Sequence, residues 1–202
     1  MLRVGFLAVL ATVVVSLAAT AQTDTVLAKW DFEADTGGWM TPDPKGKISR
    51  TNAPDAVFQG QYSLEFSYRQ RSLDQDPAEL AQEMAIPGAV GVGLPEPPAG
   101  LKSLRFAVAA LYSVPVIVTL VEGDGSSYMA LVWCEAGMWN ECQLSLSDFR
   151  LDTDSSQDEN GQLDVDQVNI LAFIDGSLFA RVLSRLGIPV HVEPETDSLI
   201  WL

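Results

Sequence analysis

Apolar and polar residues alternate along most of this chain in short runs, with Gly- and Pro-rich breaks between them. In residues 62–69, Leu64, Phe66 and Tyr68 fall on one face and Glu65, Ser67 and Arg69 on the other. That period of two marks a half-buried antiparallel strand. The same reading gives strands at 25–33, 47–52, 101–110 (Leu104, Phe106 and Val108 inward), 114–122, 128–134, 139–146, 166–174, 188–192 and 198–202. In residues 166–174, Val168, Ile170 and Ala172 share a face opposite Leu171 and Phe173. The runs 128–134 and 139–146 are separated by only four residues, Glu135 to Met138, and pair as a predicted hairpin. Spacing turns helical over 176–186, where Leu178, Phe179, Val182, Leu183 and Leu186 recur. Residues 74–84 fit one or two helical turns or an irregular loop. Pro87, Pro95, Pro97 and Pro98, with Gly88, Gly91, Gly93 and Gly100, exclude long regular structure through 87–100. Many short strands and one short helix predict an all-β fold. The expected form is a two-sheet antiparallel β-sandwich of jelly-roll type.

The first 21 residues stand outside that pattern. Arg3 precedes an apolar run from Gly5 to Ala18, and Ala19-Thr20-Ala21 follows as a cleavage signal. This reads as a signal peptide, leaving residues 22–202 as a single β-sandwich domain. The run is short for a membrane anchor, and no later stretch is long and apolar enough to span a bilayer. The expected location is therefore secreted or periplasmic.

Charge narrows the partners. Twelve Lys and Arg face 27 Asp and Glu, a formal charge of −15. Nucleic acids and anionic membranes are bound through excess basic side chains, so neither is expected as a partner. The acidity itself reads first as a source of solubility, and a monomer is expected. Cys134 and Cys142 flank the turn of the predicted hairpin, in a compartment that permits disulfides. With the turn centred on Ala136-Gly137, Cys134 faces Trp139, so a bridge needs a register shift or a bulge. Both states of the pair stay open. Their spacing is neither that of a redox motif nor, with His191, that of a zinc site.

Catalytic constellations are thin. The acidic loop 152–164 holds Asp152, Asp154, Asp158, Glu159 and Asp164, and Asp158-Glu159-Asn160-Gly161 matches only part of an EF-hand loop. A solvated loop is the simpler reading. His191 is the one histidine and has no G-x-S-x-G serine to serve. Many carboxylates are present, but a sandwich of this size has no added lobe to form a glycosidase cleft. The chain is therefore expected not to be an enzyme.

The order of several short motifs carries a resemblance. Asp31-Phe32-Glu33 is followed by Gly38-Trp39, then by residues 60–68, GQYSLEFSY. Trp139 comes next, then residues 144–149, LSLSDF, and residues 161–168, GQLDVDQV. Residues 199–202, LIWL, close the series. This resembles the galactose-binding-like jelly rolls, in particular family 11 carbohydrate-binding modules and, more remotely, the complex I intermediate-associated proteins. It covers most of residues 25–202. The resemblance implies a non-catalytic module that receives a polysaccharide or cell-surface glycan on a concave sheet face. It also implies a structural calcium, with Asp31 and Glu33 as matching ligands and main-chain carbonyls completing the shell. Sugar sites set aromatic rings against pyranose faces and surround them with polar groups. Tyr68, Tyr128 and Trp133 are the expected rings, and Arg69, Arg105 and Asp175 the polar groups. For Tyr68, which shares a face with Leu64 and Phe66, a place in the core is the alternative. Trp30, Trp39, Trp139 and Trp201 read as structural. The alternative to a sugar module is a structural or assembly domain that docks another protein.

Overall fold

The computed structural model describes residues 25–69, 88–152, 158, 160–179, 187 and 197–202. The signal peptide, the segment 74–84, the helix beyond Phe179 and the strand at 188–192 lie outside them. Ten strands form two antiparallel sheets of five. Sheet I contains β1 (Lys47–Thr51), β2 (Ser63–Arg69), β4 (Ser103–Ala110), β7 (Asn140–Ser145) and β10 (Asp197–Trp201), in the order β1-β2-β10-β4-β7. Sheet II contains β3 (Ala89–Gly93), β5 (Val114–Glu122), β6 (Ser127–Cys134), β8 (Arg150–Leu151) and β9 (Val168–Asp175), in the order β3-β9-β5-β6-β8. The two-sheet antiparallel sandwich is the fold that the alternation pattern predicts.

The core lies between the sheets. Leu64, Phe66, Val108 and Ile200 of sheet I meet Val90, Val116, Val118, Leu120 and Phe173 of sheet II. Phe106 and Phe173 touch across the gap with ring centroids 5.0 Å apart, edge to face. Strand β5 is buried on both faces. Its outward Ile117 joins Ala89 and Ile174 in a second apolar cluster. Burial on both faces accounts for a strand, residues 114–121, whose one polar side chain is Thr119.

One register shift changes the predicted faces of β9. Val121 pairs with Ile170 and Glu122 with Val168, so Asn169 is an extra residue on the β9 side. This bulge returns Val168 to the core, although it shares parity with exposed Ile170.

Several expectations are corrected. Residues 25–33 form no strand. Val26 and Leu27 are adjacent and exposed, and Phe32 turns the chain with φ of 57°. Trp30 and Phe32 instead pack edge-on against Trp39 at 5.9 and 6.2 Å. The Gly-rich stretch after Pro87 holds no long element, in line with expectation, but it does supply β3, a five-residue edge strand paired with β9. The expected helix at 176–186 begins as a 3-10 turn, Gly176–Phe179. The predicted hairpin 128–134/139–146 does not form. Strand β6 pairs with β5 and β8 in sheet II, while β7 pairs with β4 in sheet I. The turn between them is tied to sheet I, because Gly137 N–H donates to Ala110 O at 2.8 Å. A short connection thus crosses between sheets, and turn length alone does not distinguish that from a hairpin.

Cys134 and Cys142 consequently sit on different sheets, and both are free thiols. Burial pushes the Cys134 thiol up to about 12, and burial raises the half-buried Cys142 as well. A thiol reagent at pH 8 is expected to modify Cys142 slowly and to reach Cys134 only in denaturant. Counting thiols with and without guanidinium checks this. Rapid labelling of both in native protein contradicts it.

Candidate functional site

The six residues expected to contact sugar do not come together. Tyr68 lies in the core, and its hydroxyl donates to Asp175 Oδ2 at 2.7 Å. Asp175 is only 1% exposed, and its Oδ1 accepts the Ser177 N–H at 2.8 Å. Burial first, and the Asp175 charge second, raise the Tyr68 hydroxyl well above the usual tyrosine range. This buried pair ties β2 of sheet I to the end of β9 in sheet II. Tyr128 is also buried, and its hydroxyl donates to Asp158. Burial raises its pKa, and the bond to Asp158 raises it further. The same hydrogen bond lowers the Asp158 carboxyl. Trp133 lies half-buried on sheet II, with its Nε1 donating to Glu135 Oε1 at 2.9 Å. Arg69 and Arg105 are exposed on sheet I. The expected set is therefore split between the core and two opposite surfaces.

The expected calcium ligands are engaged in other ways. Asp31 is exposed and pairs with Lys29 at 3.4 Å. The Glu33 N–H donates to Asp31 and holds its carboxyl below the usual range. Glu33 Oε1 accepts the N–H groups of Gln61 at 2.8 Å and Tyr62 at 3.4 Å. Gly60 leaves room for this contact, since a Cβ there would lie 2.1 Å from that oxygen. The main-chain carbonyls of Glu33 and Ala34 accept from Arg50 at 2.7 and 2.6 Å. The Arg50 guanidinium also stacks on Tyr62, 3.9 Å from the ring centroid. An arginine cation occupies the carbonyls that a metal would need. The Asp31 and Glu33 carboxylates are each engaged by main-chain N–H groups, so the donor set here is matched to protein partners rather than left open for a calcium ion.

The acidic loop is fastened to sheet II. Asp164 N–H donates to Glu122 Oε1 at 2.6 Å, and Asn160 and Gly161 N–H both donate to Asp158 Oδ1. Glu122 is 3% exposed, and burial raises its pKa. Its neighbours Asp158, Asp164 and Asp124 add to the rise, and the Asp164 N–H opposes it. No group of three or more metal-binding side chains occurs among the described residues.

The two outer sheet surfaces differ in chemistry. On sheet II, paired rows read Ala89–Ile174–Ile117–Leu131 and Gly91–Ala172–Thr119–Met129. Ala89, Ile117, Thr119 and Ile174 are buried there, and Leu131 is exposed in the first row. Arg150 is exposed where the second row continues past Met129 onto β8, and Ile170 is exposed in the next row, beside Gly93 and Val121. On sheet I, Trp201 lies between Glu65 on β2 and Ala109 on β4. Its Nε1 donates to Glu65 Oε2 at 3.1 Å, which fixes the ring against the sheet. Ser49 pairs with Glu65, and Arg105 pairs with Gln143 further along. Ser49, Arg105, Glu141 and Gln143 are exposed on this side. The outer face of sheet I thus carries a half-exposed indole bonded to a carboxylate, with hydroxyl, guanidinium and amide groups elsewhere on the same face, the group types that sugar sites use. Sequence reasoning placed Trp201 among the structural tryptophans. The signal was present, because Ile200 and Trp201 alternate and the inward place belongs to Ile200.

No family model matches the chain, and no curated protein matches it. Solved structures do match in fold. The family 11 carbohydrate-binding module from Clostridium thermocellum, solved with a beta-1,3-1,4-mixed-linked tetrasaccharide, has TM-score 0.53 at 14% identity, covering 85% of this chain and 89% of that one. The family 11 module of the Clostridium thermocellum cellulase Lic26A-Cel5E has TM-score 0.52 at 13% identity, covering 84% and 87%. An exo-beta-agarase structure has TM-score 0.51 at 11% identity, covering 86% of this chain but 24% of that one. The chain thus has the β-sandwich fold of the carbohydrate-binding modules, as the motif order led us to expect.

Glu122 supplies a pH test. A carboxyl with a raised folded pKa contributes stability below its ordinary value of 4.5, and that contribution is lost as pH climbs through the raised value. Glu122→Gln keeps the acceptor for Asp164 N–H and removes the charge. The variant is expected to lose less melting temperature than wild type between pH 4 and pH 7. Equal losses in the two proteins contradict the assignment.

Proposed function

We propose that this protein is an exported, non-catalytic carbohydrate-binding module that holds a polysaccharide or cell-surface glycan on the outer face of sheet I. One observation carries the reading: Trp201 is fixed by Glu65 and flanked by the small Ala109, with its ring partly open to solvent. Ala109 has no side chain large enough to stand in the way of a ring stacked there. Arg105, Gln143, Glu141 and Ser49 lie exposed on the same side and supply the polar chemistry that sugar hydroxyls use. The fold shared with a family 11 module solved with a tetrasaccharide supports the class. It supplies no residue-level match, because this chain's Tyr68, Tyr128 and Asp175 are spent inside the core.

A second reading rests on Leu131 and Ile170. They stand 44% and 39% exposed on the largely apolar outer face of sheet II, whose edge carries Arg150, and such a face suits protein contact better than sugar. In that case the protein is a docking domain and the Trp201 surface is incidental.

Affinity electrophoresis against a panel that includes mixed-linked β-glucan, agarose and galactan tests the first reading. Retardation by at least one glycan is expected. Trp201→Ala should weaken it at least tenfold, about 1.4 kcal/mol and the scale of one well-stacked ring. Leu131→Lys should leave it unchanged. Binding to no glycan, or wild-type binding by Trp201→Ala, overturns this reading.

A further inference from the structure

A cavity of about 650 Å³ opens at one end of the sandwich, where the segment before Trp30 folds against the sheets. Its volume is that of sites for drug-sized ligands. Its inner wall comes from both sheets, with Leu104 and Phe106 of β4 facing Leu120, Leu171 and Phe173 of sheet II. The wall is apolar, so a free sugar would leave its hydroxyls without partners there.

Charge at this cavity runs against the whole molecule. The chain carries 27 acidic and 12 basic side chains. The described residues lining the cavity nevertheless include Lys29, Lys102 and Arg105 and no Asp or Glu. All three cations are exposed, so they stand at the mouth and not in the depth. The 3.4 Å pair of Lys29 with Asp31 is between largely exposed side chains, and such a pair yields easily to another anion. An apolar interior with a cationic rim matches one shape of ligand, an apolar tail bearing an anionic head. We propose that this cavity binds a single-chain amphiphile of the fatty-acid class, with its hydrocarbon lying along Leu104, Leu171 and the packed Phe106–Phe173 pair and its carboxylate at Lys29 and Lys102. The cavity shares Arg105 with the outer face of sheet I but not Trp201, and the proposed tail and head contacts do not depend on the glycan reading.

Trp30 and Trp39 line the cavity, so intrinsic fluorescence reports its filling. Titration of the purified protein with octanoate, decanoate and dodecanoate below their micellar concentrations should show saturable 1:1 binding. Affinity should rise up to about fourfold per added methylene if the tail is fully buried. Dodecyltrimethylammonium, with the same tail and opposite head, should bind at least tenfold more weakly than dodecanoate. The double variant Lys29→Glu, Lys102→Glu alters exposed side chains and should remove most of that preference without lowering the melting temperature. Trp201→Ala should leave dodecanoate binding intact, which separates failure here from failure of the glycan surface. Absence of 1:1 binding, equal binding of the two head groups, or an unchanged preference in the double variant each overturns the proposal.

Discussion

Everything in this fold depends on β5 being apolar on both sides. Val116, Val118 and Leu120 face the core, and Ile117 packs outward with Ala89 and Ile174. A strand of that kind belongs in the middle of a sheet, and β5 does lie between β9 and β6. The same property removes most of the outer face of sheet II from contact with polar ligands. The opposite face, on sheet I, has alternating strands with polar residues outward. The division between a dry sheet and a wet one is thus set by one strand, and the candidate glycan surface falls on the wet side as a result.

Cationic side chains are few and are placed where they act. Arg50 spans the carbonyls of Glu33 and Ala34 and stacks on Tyr62, so it fastens the segment before β1 to the start of β2. Glu33 completes the clamp by taking the N–H groups of Gln61 and Tyr62. In an acidic chain a guanidinium is a cation that needs no capture from solution. The buried Tyr68–Asp175 pair does comparable work at the other end of β2. Gly88 leaves space for it, since a Cβ there would lie 2.9 Å from the Asp175 Cβ.

Much of the sandwich was legible in the alternation. The strands at 47–51, 63–69, 103–110, 114–122, 127–134, 140–145, 168–175 and 197–201 fall within a residue or two of their expected bounds. What escaped was non-local. Whether a four-residue turn stays within one sheet or crosses to the other depends on Gly137 reaching Ala110, a contact that no local pattern encodes. The site was less legible still. A tyrosine on an alternating strand looks the same in sequence whether it faces sugar or a buried carboxylate 107 residues away. Trp201 was hidden for a related reason, because its partner Glu65 lies 136 residues earlier.

Strand β10 has a consequence for how the protein forms. It sits between β2 and β4, and both of its neighbours are distant in sequence. Sheet I stays two separate pieces until this strand inserts. Closing such long loops before any contact repays them makes folding slow, and the unpaired edges of β2 and β4 stay open to wrong partners meanwhile. Trp201 arrives with that same strand. The indole is set against Glu65 and Ala109 only when both halves of sheet I are joined, so the geometry of this surface reports the completed sheet.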